Sequence, residues 1–370
     1  MAKGLKGEKI LVTGPTGQVA LPITLALAQS NDVWGVARFS DANARERLDV
    51  AGVTCVTTDL ATSDFKDLPD DFDYVLNFAV AKGGNDAWDH DFSANAESIG
   101  LLMSHCREAK AVLHCSSTAV YQHQGPEHPL TEDDPLGDNH RVMMPTYSLN
   151  KIAAEIVVRT AAREHNLRTT IARLNVPYGD NGGWPWYHLL FMKSGAPIPL
   201  HPEKPNRFNP IHEDDLIRQV PELLKAASVP ATIVNWAGAP ATIEEWCGYL
   251  GDLTGMTPKF DETENTIGSV TCDLTRMHKL ISKATVDWRD GIRRMVEARA
   301  PELLNAKPAP ARASEPEPQA EPEPEAQAEP EPEAQAEPEP EAQAEPEPAG
   351  QAEPAPDESK DHDEVEDESS

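Results

Sequence analysis

Short apolar runs alternate with segments of helical period along the first 175 residues. Lys9-Ile10-Leu11-Val12-Thr13 is a compact apolar run ended by glycine, the pattern of a parallel strand buried on both faces. Apolar positions at helical period then continue from about Ala20 to Gln29. Further strand patterns occupy Asp32–Arg38, Val53–Thr57, Tyr74–Phe78, Ala111–Cys115 and Arg168–Leu174, with helical patterns at Glu97–Lys110 and Ile152–Glu164 between them. Alternation at this spacing predicts an α/β fold, a doubly wound parallel sheet covered by helices on both faces. Ligands of such sheets bind outside the carboxyl ends of the strands.

Charge divides the chain unevenly. Its 370 residues carry a net charge of −30, but residues 306–370 alone hold 22 of the 62 acidic side chains and 14 of the 33 prolines. The first 305 residues carry 40 acids and 29 bases, a net charge of −11. In the last part the octapeptide EPEPEAQA recurs at 321–328, 329–336 and 337–344, then degenerates at 345–352. A unit with no large apolar residue has nothing to bury, so this stretch is expected to be a disordered Pro/Glu-rich acidic tail. Such a tail solubilises the chain or docks a basic partner. The organisation expected is residues 1–174 as a dinucleotide-binding domain, 175–305 as a small substrate-binding lobe partly interleaved with the sheet, and 306–370 as the tail. The absence of a basic region argues against nucleic acid and anionic membranes as partners. No run approaches the ~20 apolar residues of a membrane span, and the apolar run after Lys9 is too short for a signal peptide. Cys55, Cys106, Cys115, Cys247 and Cys272 are odd in number and lack metal-ligand spacing. A soluble cytoplasmic protein with reduced thiols and no metal is expected.

Chemistry enters at the first turn. Gly14, Gly17 and Ala20 fall between the first strand and helix, where small residues permit a tight turn and close approach of the backbone to a pyrophosphate. After the second strand, an acidic residue would hold the 2′-hydroxyl of NAD and an arginine would neutralise the 2′-phosphate of NADP. Arg38 stands there, followed by Ser40, so NADP is expected in preference to NAD. Ser117 lies at the end of the fifth strand, and Tyr147 and Lys151, four residues apart, share one face of a helix. Together they suit a proton relay: an ammonium near the phenol favours phenolate, and the serine hydroxyl orients a substrate oxygen.

In these elements the body, over residues 8–300, resembles the extended short-chain dehydrogenase/reductase family, often labelled NAD-dependent epimerase/dehydratase. The resemblance implies a Rossmann-like fold in which Gly14, Thr16, Gly17, Gln18 and Val19 form the dinucleotide loop. It also places Asp59-Leu60 at the adenine, and Phe78, Ala79 and Val80 beside the cofactor. Asn95 resembles the family's structural or relay asparagine. Ser117, Tyr147 and Lys151 take the catalytic positions, with Lys151 also binding the nicotinamide ribose and hydride leaving from the 4-pro-S face. Arg173 to Gly179 resembles the segment at the nicotinamide end. Two departures bear on the substrate. Thr118-Ala119 stand where family dehydratases carry Asp-Glu, which disfavours sugar dehydration. Phe208 stands where sugar-nucleotide enzymes often place arginine. The aromatic stretch Gly182 to His188, with Trp184 and Trp186, suits an apolar or ring-shaped small-molecule substrate. Glu132-Asp133-Asp134 is expected in a loop near the site mouth, and His212 as a structural hydrogen-bonding residue. The implied function is NAD(P)-dependent oxidoreduction of a carbonyl or alcohol. The alternatives are a nucleotide-sugar 4-epimerase with tightly bound NAD, and a non-catalytic NADP-binding sensor or scaffold. Family members often pair through helices near 97–110 and 150–165, so a homodimer is implied by the same resemblance.

Overall fold

The computed structural model describes residues 4–81 and 87–304; the proposed tail lies outside them. Six strands follow the hydrophobic runs: β1 (Lys9–Thr13), β2 (Asp32–Ala37), β3 (Thr54–Thr57), β4 (Tyr74–Asn77), β5 (Ala111–Ser117) and β6 (Thr169–Leu174). The seventh strand of the sheet, Thr232–Trp236, returns from far along the chain. Their order is Thr232–Trp236, β6, β5, β4, β1, β2, β3, with every neighbouring pair parallel. This is the expected Rossmann-like arrangement.

Alternation within each strand feeds two separate cores. Ile10 and Val12 of β1 join α1 (Ala20–Ala28) and the helix Glu213–Lys225 on one face, through Leu21, Ile23, Leu216 and Val220. Leu11 turns the other way, into a cluster with Val75, Ile99, Leu102, Val112 and Val158. That second face is covered by the helix Tyr147–Glu164 and by a helical segment that starts earlier than the sequence pattern suggests. The pattern indicates Glu97–Lys110; the helix instead begins at Trp88, passes through a wide π turn at Ser93–Glu97 and ends at His105. At Cys106 the backbone leaves helical geometry, and the Ala109 N–H closes onto the Cys106 carbonyl, turning the chain into β5.

A third cluster lies beyond the carboxyl ends of the strands. Tyr178, Leu189, Phe208, Trp246, Leu250 and Ile292 are buried in it. The helices Trp184–Ser194, Ile243–Thr254 and Trp288–Arg299 enclose it. No helix among the described residues is long and apolar enough to cross a membrane.

Candidate active site

The glycine loop is shaped by close approach. Gly14 has φ +63°, and a Cβ there would stand 2.9 Å from the Ala79 Cα. Its N–H bonds the Val36 carbonyl at 2.9 Å, and the Gly17 N–H returns to the Gly14 carbonyl at 2.9 Å. Gly35 of β2 serves the same turn from below, since a Cβ at that position would stand 2.8 Å from Pro15 Cγ. Thr13 ties the loop to the exit of β4: its hydroxyl donates to Asn77 Oδ1 at 2.6 Å and accepts from the N–H groups of Phe78 and Ala79 at 3.2 and 3.0 Å. The result is a rigid cradle of backbone N–H groups at the start of α1, suited to a pyrophosphate.

A trough runs from this cradle in both directions. One end, about 190 Å³, is lined by Gly14, Thr16, Gly17, Arg38, Ser40, Asp59, Leu60, Phe78, Ala79 and Val80. The other, about 400 Å³, is lined by Gly17, Gln18, Val19, Phe78, Val80, Ser117, Tyr147 and Lys151. Gly17, Phe78 and Val80 border both, so the two ends form one path over the strand termini. The candidate dinucleotide residues therefore all line this path. The residues present fit an extended dinucleotide, with the adenosine at the smaller end and the nicotinamide at the larger.

At the adenosine end, the carboxylate of Asp41 is already used. It caps the helix Ala42–Val50 by accepting from the Ala44 N–H at 3.0 Å. Arg38, which is exposed, and Ser40 are left to face the site. Asp59 caps the turn Leu60–Thr62, accepting from the Ala61 N–H at 3.0 Å. His90 and Ala94 also line this end, although nothing in their spacing marks them in the sequence.

Asn95 does not line either cavity. Its amide accepts from the Ala81 N–H at 2.7 Å and donates to the carbonyls of Ala81 and Asp91 at 3.0 and 2.8 Å. Of the two roles that the resemblance offers this side chain, the geometry is that of a clamp on the cofactor-side segment after β4. Asn95→Ala is expected to destabilise the fold by about 1–3 kcal/mol, by leaving buried backbone groups unpaired. It should also weaken dinucleotide binding. Urea unfolding and a fluorescence titration with NADPH check the two effects.

At the nicotinamide end, β5 carries Ser117 to the floor of the cavity, where its Oγ accepts from the Ala119 N–H at 3.1 Å. Tyr147 is the first residue of the helix Tyr147–Glu164, and its phenol hydrogen-bonds Ser117. Burial pushes the phenol up to about 12, with the Ser117 bond working in the opposite direction; the downward shift expected from Lys151 is not found, because desolvation outweighs it. Lys151 lies one turn on, buried, and donates from Nζ to the Cys115 carbonyl at 2.8 Å. The residue before the tyrosine is anchored as well: Thr146 Oγ1 donates to the buried carboxylate of Asp91 at 2.8 Å. The arrangement places a protonated phenol and a serine hydroxyl side by side at the cavity.

Other expectations are redistributed. Trp184 lines the cavity, but Trp186 does not; it packs under the Arg299 guanidinium, 4.5 Å from its ring centroid, while Arg299 donates to the Asp180 carbonyl. Arg173 also turns away from the nicotinamide end, whereas Leu174, Asn175, Val176 and Pro177 line it. Glu132 is not at the mouth. It is buried, accepting from the Asn235 N–H at 2.8 Å, with Arg276 3.4 Å away. His212 caps the helix Glu213–Lys225 by accepting from the Asp214 N–H. His140, Met144 and Val270, from segments without a sequence signature, also line the cavity, together with Tyr187 of the aromatic stretch, on the helix Trp184–Ser194, and Phe208 of the short strand Arg207–Phe208. Among the described residues, no three His, Cys, Asp or Glu side chains gather to hold a metal.

A glycine cradle at the first β–α turn and a Ser-Tyr-Lys set along one trough define a class, the dinucleotide-dependent enzymes of short-chain dehydrogenase/reductase type. Residues 10–188 match the model of the NAD dependent epimerase/dehydratase family. No curated protein matches the chain. Solved structures resemble it in fold. A UDP-glucuronic acid 4-epimerase from Bacillus cereus, in complex with UDP-glucuronic acid and NAD, is 18% identical, with a TM-score of 0.68 over 78% of this chain and 98% of its own. A UDP-N-acetylglucosamine 4-epimerase from Methanobrevibacter ruminantium, in complex with UDP-N-acetylmuramic acid, is 19% identical, with a TM-score of 0.69 over 81% of this chain and 100% of its own. A dTDP-glucose 4,6-dehydratase from Streptomyces venezuelae, with NAD bound, is 19% identical, with a TM-score of 0.67 over 78% and 96%.

Proposed function

We propose that this chain interconverts a carbonyl and a secondary alcohol using NADP(H), with Tyr147 as proton donor and acceptor, Ser117 orienting the substrate oxygen and Lys151 holding the nicotinamide ribose. The observation that carries the reading is the Tyr147 phenol bonded to Ser117 on the floor of a cavity continuous with the dinucleotide trough. When bound, the nicotinamide supplies hydride to the carbonyl carbon or accepts it back. In reduction the carbonyl π bond opens onto oxygen, and the Tyr147 hydroxyl gives that oxygen its proton, to be replaced from solvent. Ser117 holds the same oxygen within reach of the phenol.

The direction of the Tyr147 shift has a kinetic consequence. A phenol pushed up to about 12 keeps its proton throughout the neutral range, so it is ready as an acid and scarce as a base. Reduction is therefore expected to hold its kcat/KM from neutral to mildly alkaline pH, while oxidation of the alcohol rises with pH. Profiles of both directions check this, and an oxidation rate that falls with rising pH would count against it.

Arg38 and Ser40 face the adenosine end while Asp41 is occupied as a cap, which supports a 2′-phosphate at that position. Replacing Arg38 with alanine removes a charge-assisted bond of about 1.5–3 kcal/mol, so NADPH should bind roughly 10–100-fold more weakly while NADH hardly changes. Fluorescence titration of protein first checked for retained cofactor reads both. A second reading is favoured by the neighbouring folds, which hold UDP-sugars and NAD: a 4-epimerase using the same three residues. Tightly retained NAD and no net cofactor turnover would select it.

A further inference from the structure

We infer that the substrate presents its carbonyl on an uncharged, apolar ring system and carries no diphosphate; this rests on the oxidoreduction reading above. Beyond Ser117 and Tyr147, one stretch of the wall of the 400 Å³ cavity is apolar, formed by Met144, Leu174, Trp184, Tyr187, Phe208 and Val270, while Gln18, Thr118 and Asn175 add uncharged polar groups elsewhere on it. Phe208 is buried, and its ring meets Trp184 edge to face, with centroids 5.0 Å apart and planes at 80°. Rings set this way offer a further ring the offset and edge contacts that aromatic groups prefer.

What the wall omits is equally specific. Among the described residues no arginine lines the cavity, and its only nitrogen bases are Lys151, which donates to the Cys115 carbonyl, and His140. The neighbouring Arg207 looks elsewhere, its Nη1 3.7 Å from the Glu127 carboxylate. Lys151 is held by the Cys115 carbonyl and, in the reading above, by the nicotinamide ribose, so a diphosphate placed here would give up its hydration with at most one shared cation to replace it, a cost of several kcal/mol per uncompensated charge. The body's net charge of −11 adds to that penalty at longer range. An apolar ring ketone meets neither cost and gains from burial against six apolar or aromatic side chains.

The test is calorimetric titration of the full chain, loaded with NADP⁺, with tetralone, cyclohexanone, acetophenone and UDP-glucose. Binding of a ring ketone with a negative heat-capacity change, and no heat with UDP-glucose, is the expected result. Tyr187 is 58% exposed, so Tyr187→Ala should fold normally, and it should weaken ketone binding about tenfold. The inference falls if UDP-glucose binds more tightly than every ketone, if no ketone binds, or if Tyr187→Ala and Trp184→Ala both leave ketone affinity unchanged. The ketones that bind are then mixed with the chain and NADPH: binding without NADPH consumption would support the substrate class while removing the redox reading, so the two stand or fall separately.

Discussion

Tyr147→Phe is expected to lower carbonyl reduction by roughly 10²–10⁴-fold while leaving dinucleotide affinity and folding nearly unchanged. The substitution removes one hydroxyl and keeps the ring, so the packing around His140, whose ring centroid lies 5.9 Å away, is retained. What disappears is the proton that must reach the substrate oxygen as hydride arrives. The predicted loss corresponds to about 3–5 kcal/mol of transition-state stabilisation. Ser117→Ala should cost less in kcat, since it removes the orienting hydroxyl and leaves the acid. The discriminating measurement is steady-state NADPH oxidation with a substrate identified by the calorimetric screen, alongside cofactor titration of the same variant. Full activity in Tyr147→Phe would take the phenol out of the mechanism, and the Ser-Tyr-Lys reading would go with it. Lost activity together with lost cofactor binding would instead point to a structural defect.

The parts of this site that could be read from the sequence share a physical property: each is specified locally. An apolar run ended by Gly14, a serine at a strand terminus and a tyrosine one helical turn before a lysine need no distant partner to be recognised. The trough then brings Arg38, Asp59, Ser117, Tyr147 and Lys151 onto one path, as that spacing implies. The cavity wall behaves differently. Phe208 and Val270 are buried beside each other through an isolated bridge between short segments 62 residues apart. Nothing in either segment announces the other. Trp186 fails for a related reason, because on a short helix two residues beyond Trp184 it faces another direction. The early start of the helix at Trp88 was hidden by Asp89, His90 and Asp91. Its Asp91 is buried for a tertiary reason, the bond from Thr146, that no helical periodicity contains.

The largest stability effect is expected from Arg173→Ala, about 3–5 kcal/mol, because it strands a buried carboxylate. Arg173 and Glu155 are each 2% exposed. They meet in a two-point pair, Nε to Oε1 at 2.9 Å and Nη2 to Oε2 at 2.8 Å. Oε1 also accepts from Ser116 Oγ at 2.6 Å, and the Arg173 Nη1 donates to the Glu132 carbonyl at 3.2 Å. The guanidinium lies 4.8 Å from the centroid of Tyr121, whose hydroxyl donates to Asn235 Oδ1 at 2.5 Å. One charge pair thus joins the helix Tyr147–Glu164, β5, β6 and the seventh strand. Removing either partner alone leaves the other without compensation in a dry interior, whereas replacing both with apolar residues of similar volume removes the desolvation cost as well. Arg173→Met combined with Glu155→Leu should therefore be clearly more stable than Arg173→Ala in urea unfolding, even though it has lost more polar contacts. A single-site loss below about 1 kcal/mol would mean that the pair is screened and the burial argument wrong. Activity should separate from stability in the double variant. Glu155 holds the serine next to Ser117 and lies one turn beyond Lys151, so a refilled core without the pair should fold well and turn over slowly, with the deficit in kcat and little change in cofactor affinity.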